Sequence, residues 1–286
     1  MPSPRTFYAL GLLGYPLSHS RSPELHRGFL RRCGLAGEYR LYEVPPGHPE
    51  ALRAHLEALR REEIHGLNVT IPHKQRVLPW LDDFTPAAAA IGAVNTLWAD
   101  HGRLWGDNTD APGFLHDLQA HFGAWATRPH RALVLGAGGA ARAVTYALLQ
   151  AGWEVTVAAR QPAQAATLCA ALKAAASHPS GALCRPLPWA QRATLLPPPD
   201  LIVNATPLGM APRAETSPWP SAAAFPPQAR VYDLVYNPAE TRLLQQARAA
   251  GLAAANGWGM LVAQAALAFR RWTGCASLVD NLPQKP

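Results

Sequence analysis

The chain reads as an α/β protein of two domains, and three observations carry that reading. Apolar runs of strand length alternate with amphipathic stretches of helix length along the chain. Residues 131–160, RALVLGAGGAARAVTYALLQAGWEVTVAAR, spell an apolar run, a glycine turn, an alanine-rich helix and a second apolar run ending on a cation. A length of 286 residues is long for one core and comfortable for two.

Taken in order, residues 6–13 predict a strand and 23–33 a helix with Pro23 in its first turn, where the missing N–H costs nothing. A strand at 38–44, a helix at 49–63 and a strand at 66–71 follow, the last stopped by Pro72. Residues 94–98 and 103–106 flank Asp100-His101-Gly102 and predict a hairpin, so the first sheet is expected to be mostly parallel but mixed. A helix leaves from Asp110, and the stretch 127–130, with Pro129, is read as the entry to the glycine-turn unit. Proline-rich 195–199 and 217–227 read as loops. The last helix, 257–274, is amphipathic and carries Gln264 in an otherwise apolar face of Leu261, Ala265, Leu267 and Ala268.

Nearly half the residues are hydrophobic, so burial is not limiting, and no apolar run approaches the roughly 18 residues of a membrane span. The start of the chain lacks a signal-peptide layout, and a soluble, cytoplasmic protein is expected. The net charge of +7 is spread through helical segments and not gathered with aromatics, which argues against a nucleic-acid groove. Cys33, Cys169, Cys184 and Cys275 stand far apart without a C-x-x-C pair and are expected to be reduced thiols, forming neither metal site nor disulfide framework. Only three lysines, Lys74, Lys173 and Lys285, stand against 23 arginines. A chain so biased can keep a lysine where an amine that can lose its proton is wanted; Lys173 and Lys285 need no such reason, and Lys74 is the candidate, an ordinary solvated lysine being the alternative.

In the glycine turn, Gly136, Gly138 and Ala141 occupy the three small-residue positions of G-x-G-x-x-G/A. The first permits the tight turn, the second lets backbone N–H groups approach a pyrophosphate, and the third lets helix and strand pack closely. The second strand ends on Arg160, where an acidic residue would bind a ribose 2′-hydroxyl; a guanidinium suits a 2′-phosphate and points to NADP. A plain connector and a solvated strand-end cation are the alternatives for these two features.

Small polar residues cluster in four further stretches. Ser20 and Ser22 in GYPLSHSRSP lie beside a helix start and can donate to a carboxylate, although Ser22 can equally be a helix cap. In NVTIPHK, strand alternation sends Asn68 and Thr70 to one face, and Lys74 is expected to open a helix after Pro72, where the helix dipole makes an amine give up its proton more readily. The stretches GAVNTL, with Asn95, and GDNTDA, whose Asp107, Asn108, Thr109 and Asp110 precede a helix and can each equally be its cap, complete the set. Asp110 becomes useful if it faces Lys74, orienting the amine and accepting a substrate hydroxyl proton.

With GLNVTIPHK, IGAVNTL, GDNTDAPGF, VLGAGGAARA, LIVNATPLGM, VYDLVYNP and NGWGMLVAQAALAFRRWTG following GYPLSHSRSPELH in order, the chain resembles the shikimate dehydrogenase family over nearly its whole length. The resemblance implies reversible reduction of 3-dehydroshikimate to shikimate with NADP (NADPH), in the route to chorismate and the aromatic amino acids. It implies an N-terminal α/β substrate domain of 1–110 plus 262–286 and a Rossmann-like NADP-binding domain of 111–261. Lys74 and Asp110 would be the catalytic pair. Ser20 and Ser22 would hold the substrate carboxylate; Asn68, Thr70, Asn95, Asp110 and Gln264 its hydroxyls and ring; and Tyr236 would stand on the substrate side. The cofactor would lie on Gly136, Ala137, Gly138, Gly139 and Ala140, with Arg160 on its 2′-phosphate, Thr206 and Met210 lining it, and Gly257 and Met260 near the nicotinamide. No metal, nucleic acid or membrane is implied, and a monomer or homodimer is expected, with a cleft between the domains that closes to exclude water.

One departure stands out. The family's NADP enzymes usually carry Asn-Arg-Thr or Asn-Arg-Ser where this chain has Ala159-Arg160-Gln161, which keeps the cation and replaces its two hydrogen-bonding neighbours. A quinate/shikimate dehydrogenase using NAD and a non-catalytic NADP-binding module are the alternatives.

Overall fold

The computed structural model describes residues 6–175, 183–276 and 278. The end of the 262–286 segment, with Lys285, therefore lies outside the described residues. The first sheet is assembled from β1 (Tyr8–Gly14), β2 (Gly37–Glu43), β3 (Gly66–Val69), β4 (Asp83–Phe84), β5 (Thr96–Asp100) and β6 (Arg103–Asp107), in the order β2-β1-β3-β5-β6-β4. β1 pairs in parallel with β2 and β3, whereas β5 runs antiparallel to both β3 and β6, so the sheet is mixed. The β5–β6 hairpin turns on His101 and Gly102, both at positive φ (48° and 72°), the backbone hand that matches strand twist in a two-residue turn.

Helices α1 (Ser22–Arg32), α2 (Pro49–Arg60) and α3 (Pro86–Ile91) belong to the same unit. α2 buries Leu52, Leu56 and Leu59, spaced by four and three residues as one helix face requires, in a core with Leu13, Leu67 and Leu97. α3 starts on Thr85, whose Oγ1 accepts from the Ala88 N–H, and stops on Gly92 in the left-handed conformation.

The second sheet is wholly parallel: β7 (Arg131–Leu135), β8 (Glu154–Ala159), β9 (Cys184–Pro188), β10 (Leu201–Asn204), β11 (Arg230–Asp233) and β12 (Ala254–Asn256), in the order β12-β11-β10-β7-β8-β9. Helices α4 (Asp110–Phe122), α5 (Gly139–Gln150), α6 (Pro162–Ala175), α7 (Arg242–Ala249) and α8 (Trp258–Thr273) are the other α-helices among the described residues. Successive strands are added on one side of β7 up to β9 and on its other side from β10, which is the doubly wound order of a Rossmann-type unit. Its inner strands are mostly apolar runs, as burial on both faces demands, with Leu133, Val134, Val157 and Val231 inaccessible to solvent, whereas the edge strand β9 is largely exposed.

The described residues fall into two units. One reaches Gly113 and resumes at Val262, and the other is Phe114–Leu261, so the boundaries fall inside α4 and α8. The return of α8 to the first unit is fixed by packing: Trp272 lies buried with its Nε1 donating to the Leu97 carbonyl at 3.0 Å.

Two expectations need correction. Lys74 does not open a helix; residues 71–77 form successive turns ahead of a short 3-10 segment, Leu78–Trp80, because the Lys74 carbonyl accepts from the Val94 N–H at 2.8 Å and not from its own next turn. The dipole argument for its amine therefore does not apply. The cysteines are not all thiols: Cys33, just past α1, is bonded to Cys275, just past α8, across 242 residues. Wide sequence spacing concealed the pair, since the two become neighbours only once α8 folds back on the first unit.

This bond should be felt in stability. Cys275→Ser is expected to lower the unfolding free energy by about 2–4 kcal/mol, the usual contribution of a disulfide. Urea denaturation of the variant and the parent is the check, and equal midpoints would contradict it.

Candidate active site

In the first unit the polar residues singled out by sequence join into one hydrogen-bonded set. Lys74 Nζ donates to Asp110 Oδ2, with the two side chains only 13 % and 6 % exposed. The other carboxylate oxygen, Oδ1, accepts from Asn95 Nδ2 at 2.9 Å. The same amide nitrogen reaches Thr109 Oγ1 at 2.9 Å and Gln264 Oε1 at 3.1 Å, while Asn95 Oδ1 accepts from the Thr109 N–H at 2.8 Å. Asn95 precedes β5, Thr109 precedes and Asp110 begins α4, and Gln264 projects from α8, so one amide ties three elements together. Gln264 is buried, and α8 comes so close to α4 that a Cβ on Gly113 would stand 2.9 Å from the Gln264 backbone nitrogen.

α4 starts where it does because Asn108 Oδ1 accepts from the N–H groups of Asp110 and Ala111, leaving the Asp110 carboxylate free of capping duty. Asn68 extends the set on β3: its Nδ2 donates to the Asn95 carbonyl at 3.1 Å and its Oδ1 accepts from the Tyr39 hydroxyl at 2.8 Å. Burial pushes the Tyr39 phenol well above its ordinary pKa, against an opposing hydrogen bond with Ser22. Ser22 is the first residue of α1, whose cap is Arg21, so its hydroxyl is not spent as a helix cap; Ser20 Oγ accepts from the Ser22 N–H at 3.3 Å. Thr70 lies just past β3, its N–H on the Leu13 carbonyl.

Tyr39 was not singled out by sequence, nor was His26. The two rings stack at 4.2 Å with an 8° tilt, and burial pushes the His26 pKa down to about 3, so the imidazole is neutral. Strand alternation marks Tyr39 as core; the signal available was that a buried phenol needs a partner for its hydroxyl.

In the second unit, Gly136 turns off β7 at a φ of +111°, and a Cβ there would stand 2.9 Å from the Ala205 carbonyl. A Cβ at Gly138 would meet nothing within 4 Å, and Gly139 and Ala140 supply the first N–H groups of α5. Those groups and the adjoining Ala137 backbone suit a pyrophosphate at a helix N-terminus. Ala141 is fully buried where α5 meets the sheet. Arg160 stands exposed after β8, and beside it Gln164 Nε2 donates to Gln161 Oε1 at 2.6 Å.

Behind the loop after β10, Asn204 Oδ1 accepts from both the N–H (3.0 Å) and the hydroxyl (2.6 Å) of Thr206. Asn204 Nδ2 donates to Asp233 Oδ1 at 2.8 Å, and the other Asp233 oxygen accepts from Thr241 at 2.6 Å. Burial pushes the Asp233 pKa up to about 6 against these hydrogen bonds. Met210 is exposed at the end of the Thr206 loop, Met260 is buried in the first turn of α8, and Gly257 precedes that helix. Tyr236 belongs to this unit and not to that of Lys74, with its ring 6.3 Å from Trp258. Among the described residues no group of three or more His, Cys, Asp or Glu could hold a metal ion, and no helix is long and apolar enough to cross a membrane.

A dinucleotide-type sheet carried on the same chain as a buried lysine–carboxylate pair places the protein among the pyridine-nucleotide oxidoreductases. Residues 12–97 match the family profile described as the shikimate dehydrogenase substrate binding domain, and 257–279 match the shikimate 5'-dehydrogenase C-terminal domain. A shikimate dehydrogenase (NADP(+)) of Salinibacter ruber is 47 % identical over 276 residues, 96 % of this chain and 94 % of that one. The shikimate 5-dehydrogenase of Thermus thermophilus in complex with NADP(H) and shikimate is 42 % identical with a TM-score of 0.79, covering 93 % of this chain and 94 % of the other. A quinate dehydrogenase of Corynebacterium glutamicum in complex with NAD is 32 % identical with a TM-score of 0.83, over 93 % and 94 %. The chain belongs to the shikimate dehydrogenase family.

The Asp233 carboxyl gives a pH signature. Its folded pKa of about 6 lies above the ordinary 3.8, so the folded state holds the proton more tightly and stability falls as pH rises through that interval. Between about pH 4 and 7 the wild type is expected to lose roughly 3 kcal/mol relative to Asp233→Asn. Urea unfolding of both proteins across that range tests this, and parallel curves would reject it.

Proposed function

We propose that the chain catalyses the reversible, NADP-dependent reduction of the ring ketone of 3-dehydroshikimate to shikimate, with Lys74 and Asp110 as its catalytic pair. The observation that carries this reading is the ion pair: an ammonium and a carboxylate withdrawn from water, the second carboxylate oxygen held by Asn95. Its place is the shikimate pathway, toward chorismate and the aromatic amino acids, in the cytoplasm, as a monomer or homodimer.

In this reading residues 1–110 with 262–286 form the substrate domain and 111–261 the NADP-binding domain. Ser20 and Ser22 donate to the substrate carboxylate, while Asn68, Thr70, Asn95, Asp110 and Gln264 hold its hydroxyls and ring, and Tyr236 is a substrate-side tyrosine. Gly136 to Ala140 hold the pyrophosphate, Arg160 the 2′-phosphate, Thr206 and Met210 line the cofactor, and Gly257 and Met260 adjoin the nicotinamide. NADPH, when bound, supplies the hydride. The Lys74 ammonium stabilises negative charge developing on the ketone oxygen and gives it a proton; in the reverse direction the amine takes that proton back. Asp110 keeps the amine aimed, and Asn95 keeps Asp110 from rotating away.

Lys74→Ala is expected to lose at least about 100-fold in kcat with a modest change in KM, because a positioned acid contributes roughly 10²–10⁴-fold to the transition state alone. Steady-state rates with shikimate check this, and near-wild-type turnover would end the assignment. Arg160→Ala is expected to weaken NADPH about 10- to 150-fold, the range of a charge-assisted contact, and to leave NADH nearly unchanged. Initial rates with shikimate and quinate under NADP and NAD separate this reading from a quinate dehydrogenase using NAD, which the neutral Gln161–Gln164 amide pair beside Arg160 keeps in view.

A further inference from the structure

We propose that Cys169 and Cys184 form a peroxide-reactive dithiol that closes to an intramolecular disulfide, a modification site in the second unit separate from the Cys33–Cys275 bond. Cys169 lies on the inner face of α6 among Ala165, Leu168 and Leu172, and Cys184 is the first residue of β9, paired with Val155 of β8. Both are buried and neither is disulfide-bonded, yet the Cys184 thiol donates to the Cys169 sulfur at 2.6 Å, so little movement separates the pair from an S–S bond.

The two sulfurs are not equivalent. The hydrogen bond from Cys184 pulls the Cys169 thiol below its ordinary pKa, burial opposes this, and Lys173, one helical turn further along α6, favours the thiolate. The same hydrogen bond, with burial, pushes the Cys184 thiol far upward. Cys169 is thus the attacking sulfur and Cys184 the one that keeps its proton. Lys173, one of the chain's three lysines, has no part in the proposed reduction of the ketone.

The chemistry needs a hydroperoxide as oxidant. The Cys169 thiolate attacks one peroxide oxygen; an S–O bond forms, the O–O bond breaks, and the leaving oxygen departs with a proton as an alcohol, or as water from hydrogen peroxide. The Cys184 sulfur then attacks the Cys169 sulfenic acid; the S–S bond forms, the S–O bond breaks, and hydroxide leaves with the Cys184 proton as water. Two thiols lose two electrons in all, and one peroxide gains them. Burial of both sulfurs favours hydrogen peroxide over a bulky oxidant such as oxidised glutathione.

Peptide mapping of the full chain tests this, because trypsin cuts after Lys173, between the two cysteines. After stoichiometric hydrogen peroxide, peptides 161–173 and 174–192 are expected to be joined by a reducible link, and the two thiols that titrate in denaturant beforehand are expected to be lost. In Cys184→Ser the sulfenic acid should persist on Cys169 and be captured by dimedone. Unlinked peptides with both thiols still titrating, or overoxidised Cys169 without a link, would overturn the proposal.

Discussion

The Asn95 side-chain amide is the interaction on which the first unit's polar site depends. Its nitrogen donates to the first turn of α4 and to the Gln264 oxygen on α8, while its oxygen takes the Thr109 N–H and the Thr96 hydroxyl. A buried amide satisfied on both sides fixes the elements it touches, because moving any one of them leaves a desolvated polar group without a partner. Asp110 is oriented by this arrangement, and Lys74 in turn by Asp110. The lysine itself sits in a run of turns, and its backbone carbonyl is tied to Val94, next to Asn95, so the amine and the amide that organises its partner are anchored to one short segment.

The second unit uses a similar device. Asp233, at the end of β11, holds Asn204 at the end of β10, and Asn204 holds Thr206 in the following loop. Parallel strands end at one edge of the sheet, so a polar ladder across strand ends shapes the loops that leave them. The carboxyl binds its proton more tightly than a solvated one would, which is the electrostatic cost of building the ladder inside an apolar sheet.

What the sequence disclosed follows a physical division. The strand–glycine turn–helix segment and the hairpin around Asp100-His101-Gly102 are local patterns, decided by backbone conformations that few residues adopt, and they were legible, as was the place of the cation just after β8. So was the two-sheet α/β class, since the alternation of element types is itself local. Helix and strand ends drifted by one to three residues: the strand expected at 66–71 ends at Val69, and the helix expected at 49–63 ends at Arg60. What escaped depends on residues far apart in sequence. The turn at Lys74 exists because a distant N–H claims its carbonyl, the Tyr39–Asn68 contact spans 29 residues, and the Cys33–Cys275 bond spans 242. None of these leaves a periodic trace.

That last bond alters the connectivity of the molecule. The polypeptide from just after α1 to just after α8 forms a covalent ring, and the whole second unit is an arc of that ring. A protease that cuts once within the arc opens the ring without producing two molecules; the pieces part only when the sulfurs are reduced. Backbone damage in the nucleotide-type unit thus becomes a repairable-looking nick and not a loss of half the enzyme, and electrophoresis without reductant would register the nicked protein as a single species.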